Sequence, residues 1–172
     1  SYNGALVPGT GLSVSPRGVQ SWTDPKHPSS IMPGKRPRLT PNPAIAVRGN
    51  GQAFLPFGTP GGDVQTQAMA QTFCDVAVFG MSPQEAVEAP RFASYSFPSS
   101  FEPHDYHPGL LKLEGRIEGG IGKALEARGH RVEEWPERTW LAGSICMILD
   151  DRDSGIKAAG ADPRRVAYAL GW

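Results

Sequence analysis

The sequence predicts an α+β fold, on the strength of two hairpin signals and the helical stretches between them. Ala44-Ile-Ala-Val-Arg48 and Gln52-Ala-Phe-Leu-Pro-Phe57 flank Gly49-Asn50-Gly51, with apolar residues alternating on the first arm. A period of two puts alternate side chains on one face of a sheet, and the Gly-Asn-Gly link supplies the positive φ angles of a tight hairpin. Ser144–Leu149 and Ile156–Ala159 flank Asp150–Gly155 in the same way. Hairpins plus helices favour layered α+β packing over a doubly wound parallel sheet.

Taken in order, residues 1–43 are dense in turn signals: Pro8-Gly9, Gly11, Pro16, Pro25, Pro28, Pro33-Gly34, Pro37, Pro41 and Pro43. Only Gly11–Val14 suggests a short strand, and a stretch this irregular is expected to lie across something rather than fold alone. Residues 44–172 are expected to supply the sheet and helix layers. After the first hairpin comes the turn Gly58-Thr-Pro-Gly-Gly-Asp63, with Asp63 a candidate N-cap. Met69, Phe73, Val76 and Ala77 then recur at helical spacing up to Gly80. Ser82-Pro-Gln-Glu85 is a capping box with proline at the first helical position, and its helix stops before Pro90. Residues 91–109, rich in Ser, Pro and His, read as loop. Leu111–Gly115 and His130–Trp135 read as strands, and between them Ile117–Arg128 is amphipathic and closed by Gly129.

Composition narrows the function classes. The 172 residues suffice for one domain with a sizeable core. Seventeen basic residues balance seventeen acidic ones, which gives no electrostatic reason to expect nucleic acid or an anionic membrane as partner. No apolar run approaches the length of a membrane span. The first residue is Ser1 rather than Met, so a processed or truncated chain is expected. Cys74 and Cys146 each sit in an apolar stretch and are expected to be buried packing residues. The compartment is left open.

The chemistry concentrates at Gly58–Asp63. Adjacent glycines let the backbone approach a ligand, and a following helix presents unpaired N–H groups with partial positive charge. Such a turn suits an oxyanion, a phosphate or a carboxylate, although a plain strand-to-helix corner needs the same glycines. The Lys-Ser/Thr ending of a phosphate-binding P-loop is missing. His104, Asp105 and His107 have no second cluster at ligand spacing, so they are expected to be solvated loop residues and no metal is expected. Arg91, Arg164 and Arg165 are expected in structural ion pairs. Trp22, Trp135, Trp140 and Trp172 are expected to pack the layers or a subunit contact.

The series Val7-Pro-Gly-Thr-Gly-Leu12, Arg17-Gly18, Pro33-Gly-Lys-Arg-Pro37, Gly58-Thr-Pro-Gly-Gly-Asp63, Glu88-Ala-Pro-Arg-Phe92 and Gly160-Ala-Asp-Pro-Arg164 resembles the γ-glutamyltransferase (γ-glutamyltranspeptidase) family in order and spacing. The resemblance implies the C-terminal portion of a small subunit, contributing to a four-layer αββα sandwich of the N-terminal-nucleophile hydrolase type. It further implies a precursor that cuts itself into large and small subunits, so that the large subunit is the expected partner. A threonine at the new small-subunit terminus would attack a small amide substrate with its own α-amino group as base. That threonine is expected upstream of Ser1, and Ser1 is not expected to replace it, because Val7-Pro8 follows too soon. The resemblance would also give Gly61 and Gly62 the role of oxyanion hole, and it implies no cofactor.

The substrate pocket departs from the family pattern. Where γ-glutamyl transferases carry an acidic stretch for the substrate ammonium, this chain has Arg17-Gly-Val-Gln20; where they carry paired serines, it has Leu39-Thr40. Arg17, Gln20 and Thr40 are thus the expected substrate-binding residues, suited to an acyl group that bears a carboxylate and no ammonium. The expected activity is that of an amidohydrolase rather than a glutathione-processing transpeptidase. The rival expectation is a catalytically silent fragment or binding module of the same fold.

Overall fold

The computed structural model describes residues 5–49 and 51–171. Ser1, Asn50 and Trp172, each singled out above, lie outside the described residues. The chain divides into two compact units, one formed by Ser1–Thr40 and Pro98–Tyr106, the other by Pro41–Phe97 and His107–Trp172.

Among the described residues, the second unit holds all the regular sheet. β1 (Ala44–Arg48) and β2 (Ala53–Gly58) form the first hairpin, with Ala44 opposite Phe57 and Arg48 opposite Ala53. β6 (Cys146–Asp151) and β7 (Ile156–Ala161) form the second. The two hairpins join through β2 and β6 into an antiparallel four-stranded sheet of order β1-β2-β6-β7. Its inner face carries Leu55, Met147, Ala46, Phe57 and Leu149. With Ile145, Trp135, Val87, Ala68 and Val64 these residues make the core cluster, so alternation on the strands becomes a buried and an open face.

Two helices follow the glycine turn. α1 (Gln65–Ala77) buries Ala68, Met69 and Thr72, one turn apart on one side. It ends where Gly80 takes φ 70° and Met81 N–H reaches back to Asp75 O at 3.0 Å, a glycine C-terminal cap. α2 (Pro83–Glu88) starts on the expected capping box: Ser82 Oγ accepts from Glu85 N–H, and Glu85 Oε2 accepts from Ser82 N–H at 2.8 Å. A smaller sheet, β3-β4-β5, completes the unit. β4 (Leu110–Glu114) and β5 (Arg131–Trp135) run parallel, joined by α3 (Gly119–Glu126), while β3 (Phe92–Ser94) pairs antiparallel with β4. One parallel pair in two otherwise antiparallel sheets is an α+β arrangement.

Several expectations need correction. Residues 91–109 are not all loop, since β3 lies among them. Its pairing is reinforced by side chains: Gln67 and Gln71 of α1 bond the backbones of Ser94 and Phe92, contacts made at a distance in sequence. Gly11–Val14 forms no strand, only a single bridge from Ser13 to Leu6. Cys74 and Cys146 are exposed, Cys74 on the outer side of α1 and Cys146 on the open sheet face.

In the first unit, a 3-10 turn at Pro16–Gln20 is capped by Ser15. Trp22 is sandwiched between His27 and His104, with ring centroids 4.1 and 3.8 Å away. His104, expected to be solvated, has a side chain only 6% exposed, and its Nδ1 lies 2.9 Å from Ser99 O.

Candidate functional site

The corner between β2 and α1 is built by consecutive glycines. Gly61 has φ 139° and ψ 14°, a conformation closed to residues with a Cβ, and Gly62 has φ 59°. A 3-10 turn, Gly62–Val64, leads directly into α1. Asp63 is therefore not the N-cap of α1 but lies inside this turn; Val64 N–H donates to Gly61 O at 3.3 Å. Among the described residues, neither the Gly61 nor the Gly62 N–H has a hydrogen-bond partner. Two adjacent donors at the head of a helix thus remain open to an anionic or developing-anionic oxygen.

The turn leans on a second glycine loop, where Ser144 lies 85 residues beyond Thr59. A Cβ on Gly61 would lie 3.5 Å from Gly143 Cα, and a Cβ on Gly143, at φ 86°, would lie 3.0 Å from Thr59 Oγ1 and 3.1 Å from Ala68 Cβ. Thr59 Oγ1 accepts from Ser144 N–H at 2.7 Å and donates to Pro60 O at 2.6 Å. Gln65, buried beneath, leaves its Oε1 without a partner. Tyr95 has its hydroxyl pKa raised, by burial first and then by the nearby Asp63 charge.

Behind this loop sits a buried ionic cluster. Arg91 Nη2 meets Asp162 Oδ2 at 2.7 Å and Val87 O at 2.7 Å, and its Nη1 donates to Ala142 O (3.2 Å) and Gly143 O (3.4 Å). Arg164 donates through Nε (2.7 Å) and Nη2 to the two oxygens of Glu114, and through Nη1 to Asp162 and Val87 O. Glu114 also accepts from Arg91 N–H and Thr139 N–H, and Asp162 from Ile145 N–H and Arg164 N–H. Burial pushes the Glu114 carboxyl up, but Arg164 and these backbone donors outweigh it and hold the pKa below the ordinary value. The arginines at 91 and 164 are structural as expected, whereas Arg165 stacks over the exposed Trp140 ring, 5.1 Å from its centroid.

The remaining predicted site residues belong to the other unit. Arg17 is half-buried in the 3-10 turn and Thr40 is half-buried at the unit's end. Gln20 is 1% exposed; its Nε2 donates to Ser100 Oγ at 3.2 Å and its Oε1 has no partner. Gln20 lines a cavity of about 290 Å³ together with Ser21, Ser29, Lys35, Arg36 and Arg38, while Arg17 and Thr40 do not. No carboxylate lines this cavity, and among the described residues Arg36 and Arg38 make no ion pair. Sequence reasoning missed Thr59, Gly143 and Ser144, and it missed Lys35, Arg36 and Arg38 as cavity residues, although Lys35 and Arg36 belong to the Pro33–Pro37 motif. No group of His, Cys, Asp and Glu able to hold a metal occurs among the described residues.

Comparison with known proteins gives a consistent picture. Residues 4–172 match the family model described as Gamma-glutamyltranspeptidase. The chain is 31% identical to the oxamate amidohydrolase proenzyme of Klebsiella pneumoniae over 99% of its own length and 31% of that protein's. It is 30% identical to the glutathione hydrolase-like YwrD proenzyme of Bacillus subtilis, with the same coverage of 99% and 31%. Among solved structures, LmbA2991HD superposes with a TM-score of 0.79 at 36% identity, over 90% of this chain and 27% of that one. The cephalosporin acylase of Bacillus halodurans gives 0.73 at 27% identity, over 97% and 29%. The fold is accordingly that of the N-terminal-nucleophile hydrolases, in part, and the chain spans about a third of the length of the curated relatives it matches.

Proposed function

The chain belongs to the gamma-glutamyltranspeptidase family, and on that premise we propose that it is the C-terminal part of the small subunit of an amide hydrolase working through an acyl-enzyme. The observation that carries this reading is the pair of unpartnered N–H groups at Gly61 and Gly62, held at positive φ at the head of α1. In the proposed reaction a threonine hydroxyl outside this chain attacks the amide carbonyl, and its α-amino group takes the proton. The carbonyl oxygen becomes an oxyanion between the Gly61 and Gly62 donors. The C–N bond breaks as the amine leaves with that proton, and water then attacks the ester to release the acid.

The acyl group proposed is a small one with a carboxylate and no ammonium. Arg17 in place of acidic residues supports this. Oxamate, named for the Klebsiella relative, is an amide of that kind. Gln20 and Thr40 are proposed to hydrogen-bond the same group. The proposed partner is the large subunit of the same precursor. Its support is a row of exposed residues across the open sheet face, Ile45 (63%), Pro56, Ile148 (47%) and Ala159, lying opposite one another in register. A continuous apolar row of this kind is suited to burial under a second sheet.

The test is hydrolysis by the complete protein of a dicarboxylic monoamide and of a γ-glutamyl amide, side by side. Preference for the monoamide by kcat/KM is expected; preference for the γ-glutamyl compound would overturn the substrate assignment. Inactivity on both would favour the silent-module alternative.

A further inference from the structure

We infer that Thr59 is a positioning residue: its hydroxyl sets the direction in which the Gly61 N–H points. This rests on the reading of Gly61 as an oxyanion donor. The Pro60 carbonyl and the Gly61 N–H belong to one peptide plane, and in a trans peptide they point in opposite directions. Among the described residues the only cis bond is Glu102–Pro103, so this peptide is trans. Whatever holds the Pro60 oxygen therefore aims the Gly61 hydrogen.

Thr59 Oγ1 is that holder, donating to Pro60 O at 2.6 Å. The hydroxyl is itself fixed from the other side, because it accepts Ser144 N–H at 2.7 Å. Ser144 is in turn anchored by its neighbour Gly143, whose carbonyl accepts from the buried Arg91. The hydroxyl has one proton, and the incoming Ser144 N–H occupies its acceptor side, so that proton is directed at Pro60 O.

A tether is needed because the alternative is accessible. Rotating the Pro60–Gly61 peptide by half a turn changes φ of Gly61 from 139° to about −40°, a negative value. In that state the N–H points away from the oxyanion position and the carbonyl points towards it, which replaces a donor by an acceptor. Nothing in the glycine pair itself disfavours the flip, since glycine occupies both signs of φ with similar ease. The bond from Thr59 favours the state that keeps the donor in place. Because the hydroxyl bonds backbone and not substrate, its loss affects the transition state far more than ground-state binding.

The experiment compares wild type, Thr59→Val and Thr59→Ser in the complete protein, with kcat and KM on the best amide substrate and a crystal structure of the valine variant. Valine keeps the branched shape and removes the hydroxyl; serine keeps the hydroxyl. The expected results for Thr59→Val are a fall in kcat of about 10–100-fold, KM within about twofold, and a rotated Pro60–Gly61 peptide. Thr59→Ser is expected to retain kcat within about threefold. A Thr59→Val enzyme with wild-type kcat, or a loss equally deep in Thr59→Ser, would overturn the inference. Should wild type cleave no amide, the proposed function falls while this inference is still read from the crystal structure: a rotated peptide supports it and an unrotated one refutes it. Should Thr59→Val fail to fold, retention of kcat in Thr59→Ser together with its loss in Thr59→Cys, a far weaker donor, supports the inference, and equal rates in those two variants refute it.

Discussion

Arg91 and Asp162 meet at 2.7 Å with side chains 1% and 0% exposed, and they join the end of α2 to the end of β7. A pair so buried is poorly replaced by one partner alone, because the survivor is left as an uncompensated charge in a dry site. Asp162 also caps Ile145 N–H and Arg164 N–H, so its loss strands backbone donors as well. Asp162→Ala is expected to cost about 3–5 kcal/mol, read from urea unfolding midpoints. A loss below about 1 kcal/mol would mean that water or rearrangement satisfies the cluster.

The same cluster gives a sign for acid sensitivity. The Glu114 carboxyl is held below its ordinary value, so its contribution is complete above the unfolded pKa of about 4.3 and is lost as pH falls through the lower folded value. Glu85 and Glu133 are lowered too, by Ser82 and Lys112 respectively, but they are exposed and solvent screens them. Melting temperature should therefore drop steeply below about pH 4.3 in wild type. In Glu114→Gln the melting temperature starts lower and the acid slope is shallower. A slope identical in the two proteins would remove Glu114 from the account.

Gly160 offers a purely steric forecast. A Cβ there would lie 2.4 Å from Pro83 O and 2.7 Å from Pro83 C, backbone atoms at the first turn of α2. Neither β7 nor the helix start can yield cheaply, so Gly160→Ala is expected to cost at the upper end of the 1–3 kcal/mol typical of overpacking, or about 3 kcal/mol. Gly18, with nothing within 4 Å and an ordinary φ, is the control and should tolerate alanine. Paired thermal melts of the two variants check this, and equal melts would contradict it.

Features that depend on neighbours in sequence were legible beforehand. The capping box at Ser82–Glu85 and both hairpins follow from local hydrogen bonding and from period-two alternation, which act within a few residues. β3 was not legible, because three residues carry no period and its backbone is held by Gln67 and Gln71 of α1. Asp63 looked like a cap because capping chemistry is local, but the positive φ of two glycines inserted a 3-10 turn first. The exposure of Cys146 follows from its position on the open sheet face, where apolar neighbours in sequence do not mean burial. At the candidate site the Gly61–Gly62 pair stood out as a motif, whereas Thr59 gained its meaning only once Gly143 and Ser144 folded against it.

The two glycines of the turn should differ on substitution. Gly62 at φ 59° lies in the left-handed region that residues with a Cβ enter at a cost of about 1–2 kcal/mol. Gly61 at φ 139° and ψ 14° lies outside it, in a conformation closed to residues with a Cβ. Gly62→Ala is thus expected to keep the backbone path and lose some stability, whereas Gly61→Ala must turn the Pro60–Gly61 peptide to reach negative φ. That rotation withdraws one N–H donor, so kcat should fall by about 10²–10³ in Gly61→Ala, and by clearly less in Gly62→Ala. Both variants are to be assayed on the amide that wild type cleaves best, with melting temperatures taken alongside. If Gly62→Ala proves the more damaging to kcat while remaining folded, the donor that matters is the second of the pair, and the tether from Thr59 acts on the wrong peptide to explain catalysis.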